Sequence, residues 1–127
     1  MAYSATIKDT NLELTPKMRI ALKDTSNATK LDTAVDENGT LVIENVLGYV
    51  VLDIHNDKSK DRQDYENYII VSGDGEKYVT GSPSFWQNFT DIANEMAAFP
   101  DEPWGIEVYK MPSKNYQGKS FLTCSII

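Results

Sequence analysis

The chain reads as an all-β domain with one helix: a five-stranded barrel whose helix falls between the third and fourth strands. Three observations predict this class. Short alternating or β-branched runs, bounded by turn residues, recur along most of the 127 residues. One stretch, from Ser82-Pro83-Ser84 to about Phe99, carries its apolar residues at helical spacing instead. The chain then returns to alternation and ends in a hairpin from Trp104 to Ile127, around the loop that begins at Pro112.

Length favours a single domain over residues 1–127, with a core large enough to need no staples. Hydrophobic content of 41%, charge of 24%, two Trp, seven Tyr and four Phe exclude a disordered chain. The lone Cys124 has no partner for an internal disulfide, which points to a reducing compartment; with no His near it in sequence, it reads as a buried, inert thiol. Met1-Ala2-Tyr3-Ser4-Ala5-Thr6 lacks the basic start and apolar run of a signal peptide. No apolar stretch approaches the ~18 residues of a membrane helix. The best, Val46 to Ile54, contains Gly48 and Asp53. A cytoplasmic location and no membrane partner are expected. A net charge of −7 argues against indiscriminate binding of duplex DNA but leaves room for a local basic groove.

Taken in order, residues 1–10 are polar and expected to fray. Leu12 to Leu14 and Met18 to Lys23 alternate apolar with polar residues, the pattern of a strand broken at Pro16. Asp24 to Asn27 is turn chemistry, Thr29 to Val35 a short strand, and Asp36-Glu37-Asn38-Gly39 a turn. Leu41 to His55 is the longest strand, and Gly48 in its middle predicts a bulge or sharp bend. Tyr65 to Ser72 follows the charged loop 56–62 and turns at Gly73-Asp74-Gly75 into Lys77 to Thr80. For the helix, Ser84 with Gln87 forms a capping-box pattern, and Ser82 before Pro83 is a second start. Phe85, Phe89, Ile92, Ala93, Met96 and Ala97 share one face, Trp86 flanks it, and Asn88 and Asn94 lie off it. Pro100 and Pro103 stop the helix. The last strands alternate as Ile106, Val108, Lys110 against Glu107, Tyr109, Met111, and as Leu122, Cys124, Ile126 against Phe121, Thr123, Ser125.

Catalytic and metal chemistry has little support. His55 is the only histidine, and no nucleophilic triad can be assembled around it. Asp57, Asp61 and Asp64 lack the glycine and closing Glu of a calcium loop. Gly73-Asp74-Gly75 and Gly118-Lys119-Ser120 each lack the rest of a phosphate loop. A non-enzymatic protein without metal or cofactor is expected.

Charge is distributed unevenly. From Tyr109 onward there are three lysines (Lys110, Lys114, Lys119), three aromatics (Tyr109, Tyr116, Phe121) and no carboxylate side chain. From Asp91 to Glu107 there are five acids and no base. Amines that hold phosphates, interleaved with rings that stack on bases, suit a single nucleic-acid strand. A solvated hairpin with aromatics packed on the core is the plainer alternative. A second segment, from His55 to Tyr68, carries Lys58, Lys60, Arg62, Tyr65 and Tyr68 among four acids, and a solvated loop is its plainer reading.

One helix between strands three and four of a five-stranded barrel is the arrangement of the OB-fold, which binds oligonucleotides across strands two and three between the loops joining strands one to two and four to five. On that fold the two segments would flank one groove. The stretch Tyr78-Val79-Thr80-Gly81-Ser82, the helix, Ile106-Glu107-Val108 and Ser113-Lys114-Asn115-Tyr116-Gln117-Gly118-Lys119-Ser120-Phe121 resembles the small single-stranded-DNA-binding proteins of tailed bacteriophages. The resemblance covers roughly the C-terminal half. It implies an OB-fold coating exposed strands during replication or recombination in the host cytoplasm, with single-stranded DNA as partner and a homodimer or replication and recombination proteins as further partners. The chain lacks the Gly/Pro-rich linker and acidic tail of bacterial relatives. The rival readings are an acidic interaction protein, such as a phage inhibitor imitating DNA, and a virion subunit using the barrel as scaffold.

Overall fold

The computed structural model describes residues 3–56, 64–112 and 120–127. Among them are eight strands and three helices. Strand order in the first sheet is β1–β4–β5–β6–β2, and in the second β3–β7–β8; neither closes into a barrel. The all-β character holds, and the expectation of five strands with a single helix is corrected.

The N-terminal half accounts for most of the difference. Residues expected to fray form β1 (Tyr3–Thr10), antiparallel to β4, with Ala5 opposite Ile54 and Ile7 opposite Leu52. Met18 to Lys23 is helix α1 (Pro16–Lys23), not a strand. Thr15 caps it, its Oγ1 accepting from the Met18 N–H at 3.2 Å, and Pro16 sits at the first position, where its missing N–H costs nothing. Lys77 closes the other end, Nζ donating to the carbonyls of Ala21 and Asp24, both at 2.9 Å. The strand expected over 29–35 shrinks to β2 (Thr29–Lys30), followed by α2 (Leu31–Asn38), which buries Leu31 and Val35 four apart on one face. Asn38-Gly39 therefore ends a helix rather than making a turn between strands. Gly39 takes φ 83° and its N–H donates to the Val35 carbonyl at 2.7 Å.

The predicted long strand is β3 (Thr40–Ile43) and β4 (Val46–Asn56), one bent ribbon shared by both sheets. Its bulge falls where Val46 pairs with Ser72 and Gly48 with Val71, leaving Leu47 unopposed. A Cβ on Gly48 would meet the side-chain ends of Asn11 and Leu12 at 2.5 Å, so both would have to shift to admit one. β5 (Asp64–Ser72) and β6 (Lys77–Thr80) form the expected hairpin. α3 (Pro83–Met96) starts at Ser82, whose Oγ accepts from the Phe85 N–H at 3.3 Å, rather than at Ser84, and it stops short of Phe99. β7 (Ile106–Pro112) and β8 (Ser120–Ile126) complete the second sheet.

Two cores result. Between the sheets, α3 inserts Phe85, Trp86, Phe89 and Ala93 against Ile43, Val51, Ile70, Ile106, Val108 and Leu122. On the other face of the first sheet, Val50, Leu52, Ile54, Ile69 and Val79 pack under Leu12, Leu14 and Leu22. Burying each such side chain contributes roughly 1.5–3 kcal/mol. The two edges that would meet in a closed barrel are both occupied. β2 pairs in parallel with β6, and Asn88 of α3 covers β8, Nδ2 donating to Thr123 Oγ1 at 2.9 Å and the Cys124 carbonyl at 2.7 Å.

Candidate nucleic-acid interface

Register sorts the aromatics of the last hairpin. Tyr109 stands opposite Thr40 on one side and Thr123 on the other, and Met111 stands opposite Phe121. Strand alternation puts these side chains on one face and Ile106, Val108, Leu122 and Cys124 on the buried one. The outward face carries Val42, Tyr109, Met111 and Phe121, with Met111 45% and Phe121 40% exposed. Tyr109 has Phe121 on one diagonal of the strand pair and Ser125 on the other. The Tyr109 hydroxyl and Ser125 Oγ share a 2.6 Å hydrogen bond that fixes the ring over β8. The only carboxylate contributed to this face by β3, β7 or β8 is Glu107. The exposed Phe121 ring and the anchored Tyr109 ring, on either side of Thr123, are each a face on which a base can stack.

Lys110 points the other way. Its Nζ meets Asp36 Oδ1 of α2 at 2.6 Å, so its charge ties α2 to β7 instead of facing a phosphate. Tyr68 is also corrected. It is 7% exposed and stacked on Trp86, centroids 4.8 Å apart, so it belongs to the core and offers no face to a base. Trp86, expected beside the apolar stripe, is central to it. Tyr65 is half-buried against the second core.

A groove running the length of β5 and β6 is corrected as well, because Leu12, Leu14, Leu22 and Ala28 cover that face. What remains open is a hollow of about 370 Å³ at its end, lined by Lys30, Thr33, Tyr65, Asn67 and Gly81 among others. The hairpin face and this hollow are separate surfaces. Lys58, Lys60, Arg62, Lys114, Tyr116 and Lys119 lie outside the described residues. Lys30, Asn67, Met111 and Ser125 were missed from sequence. For Met111, its place opposite Phe121 in an alternating hairpin was the available signal; the others depend on tertiary placement.

Acid–base chemistry is confined to one polar end of the first sheet. His55 Nδ1 lies 2.7 Å from Asp64 Oδ1, and Ser4 stands opposite His55 on the neighbouring strand. This row has the residue types of a hydrolytic triad, which sequence alone did not bring together. It sits on an open sheet surface where water competes for each hydrogen bond. Beside it Lys8 donates to Glu66, which also accepts from the Tyr68 hydroxyl at 3.2 Å. The Lys8 hydrogen bond, more than its charge, holds the Glu66 carboxyl below its ordinary range. Burial pushes the Cys124 thiol up to about 12, so it is protonated and unreactive at neutral pH. Among the described residues no group of three His, Cys, Asp or Glu could hold a metal ion, and no helix is long and apolar enough to cross a membrane. Comparison with protein-family models, curated proteins and solved structures finds no match.

Proposed function

We propose that this chain is a non-enzymatic, sequence-tolerant binder of single-stranded DNA on an open OB-like fold, serving phage replication or recombination. The observation that carries the reading is the outward face of the last hairpin, where Phe121 stands exposed opposite Met111 and, beyond Thr123, the Tyr109 ring is tied to Ser125. The loop joining those two strands has the sequence Ser113-Lys114-Asn115-Tyr116-Gln117-Gly118-Lys119, with two lysines and no acid. Rings would stack on bases while Lys114 and Lys119 neutralise phosphates. The neighbour order supports the fold assignment. Through the bent β3–β4 ribbon the strands run β6, β5, β4/β3, β7, β8, with α3 between β6 and β7. That order is consistent with an OB arrangement whose β6–β8 seam is open, with β1 added beside β4 and β2 beside β6. The exposed His55–Asp64 pair favours no competing hydrolase, since a nucleophile needs a preorganised, water-excluding site.

Anisotropy of a labelled oligo-dT strand tests the proposal. Binding is expected to weaken with salt by a slope of about −0.7 per phosphate contacted, with duplex bound less well. Replacing Lys114 and Lys119 with Ala should flatten that slope and leave the melting temperature nearly unchanged. No association with single strands at low salt, or equal affinity for duplex, would sink the proposal.

A further inference from the structure

A second surface lies where α3 ends, and it is acidic. Where α3 ends, Met96, Phe99, Asp101, Glu102 and Trp104 line a groove of about 650 Å³ whose far wall is Leu47. Two features of the fold build it. The bulge that bends β4 leaves Leu47 without a partner and turns it outward. The segment after α3 is pinned to the same bend by the Val46 N–H, which donates to the Trp104 carbonyl at 2.9 Å. Leu47 is 56% and Phe99 60% exposed, so two large apolar side chains face water across one concavity.

The rim is entirely of one sign. No Lys or Arg lines the groove. Asp101 and Glu102 stand in its wall, and Asp91 and Glu95 lie on the helix that leads to it. All four are exposed, and none has an ion pair or a side-chain hydrogen bond. Two uncompensated carboxylates in the wall of an apolar floor, with two more on the helix leading to it, repel nucleic acid and anionic lipid, and attract a cation carried on an apolar frame.

We propose that this groove docks a basic segment of a partner protein, seating an apolar side chain between Leu47 and Phe99 with flanking Lys or Arg against Asp101 and Glu102. The proposal is independent of strand binding, because the groove shares no residue with the hairpin face. Its probes are two synthetic peptides of equal positive charge, one alternating Lys with Leu and Phe, the other with Ser in place of the apolar residues. Trp104 in the groove wall reports binding by its fluorescence. The apolar peptide is expected to bind at least about tenfold more tightly than its Ser counterpart. Leu47→Ser and Phe99→Ser, both at exposed positions, should each lower that affinity about tenfold with oligo-dT binding unaltered. Equal binding of the two peptides would reduce the groove to bulk charge and overturn the proposal, as would undiminished binding by both variants. Self-association abolished by Leu47→Ser would also overturn it, assigning the groove to a second copy of this chain.

Discussion

Phe121→Ala isolates the hairpin face from the rest of the molecule. Phe121 is 40% exposed on the outward side of β8, opposite Met111, and touches neither core. Truncation removes a cross-strand pair worth about 0.2–1 kcal/mol. Unfolding entropy of about 2.1 cal/mol/K per residue gives roughly 0.27 kcal/mol/K for 127 residues, so the melting temperature should fall by no more than ~4 °C. If the ring stacks on a base, its loss costs about 1–3 kcal/mol of binding, or roughly 5- to 150-fold in Kd. The two effects differ in size and are read by different instruments: circular dichroism for the melt, anisotropy of labelled oligo-dT for Kd. The salt slope should not change, because Phe121 carries no charge. An unchanged Kd at an unchanged melting temperature would refute the stacking role, and a fall far beyond ~4 °C would show that the ring supports the fold instead.

Other perturbations test the frame around that face. Phe89 is fully buried, with its ring 4.9 Å from Trp86 and 6.0 Å from Trp104, so Phe89→Ala should cost ~3–5 kcal/mol in chemical denaturation, whereas Asn94→Lys on the exposed side of α3 should be nearly neutral. Asn88→Ala removes both hydrogen bonds that cover the β8 edge and should destabilise by about 1–3 kcal/mol, measured the same way. Glu66 titrates below its ordinary value when folded, so its contribution is present above the unfolded value and fades as pH falls through the folded one. In Lys8→Ala, an NMR titration should find the Glu66 carboxyl moved up toward its ordinary value; an unmoved carboxyl would show that Lys8 is not the cause.

From the long strand at 40–56 onward the elements were legible, and before it they were not, for a physical reason. Helix α3 and strands β7 and β8 each bury one face, and β5 is an apolar run buried on both, Tyr68 and Ile70 in one core and Ile69 in the other, so the hydrophobic pattern identifies them. α1 buries only Leu22 and leaves Met18 and Ile20 exposed, and those two mimic strand alternation over so short a span. The stronger signal was local: Thr15 followed by Pro16 opens a helix more readily than it breaks a strand. β1 alternates Ala5 and Ile7 with polar residues, a pattern too weak to outweigh its position at the terminus. In the candidate site, alternation separated Tyr109 from Lys110 correctly as opposite faces. It could not say which face was buried, since that depends on where α2 and Asp36 lie. The role of Asn88, placed only off the apolar face, was hidden for the same reason, because the edge it covers comes from a strand 35 residues away.

The covered face of the first sheet decides where a single strand could run. An OB barrel ordinarily offers the outer side of its second and third strands. Here residues 12–28 fold over that side and bury Ile69 and Val79 beneath Leu22. Withdrawing them would uncover an apolar core, at roughly 1.5–3 kcal/mol per buried side chain, more than one stacked base returns. On the proposed function, a strand would therefore meet the aromatic surface at the hairpin, on a sheet face that none of the described helices packs against. The acids from Asp91 to Glu107 reinforce that choice. Asp101 and Glu102 stand at the groove beside α3, which phosphates avoid, and the hairpin carries Lys114 and Lys119 in its connecting sequence. On the hairpin face itself β3, β7 and β8 contribute one carboxylate, Glu107, so a net charge of −7 for the whole chain does not by itself oppose a strand there.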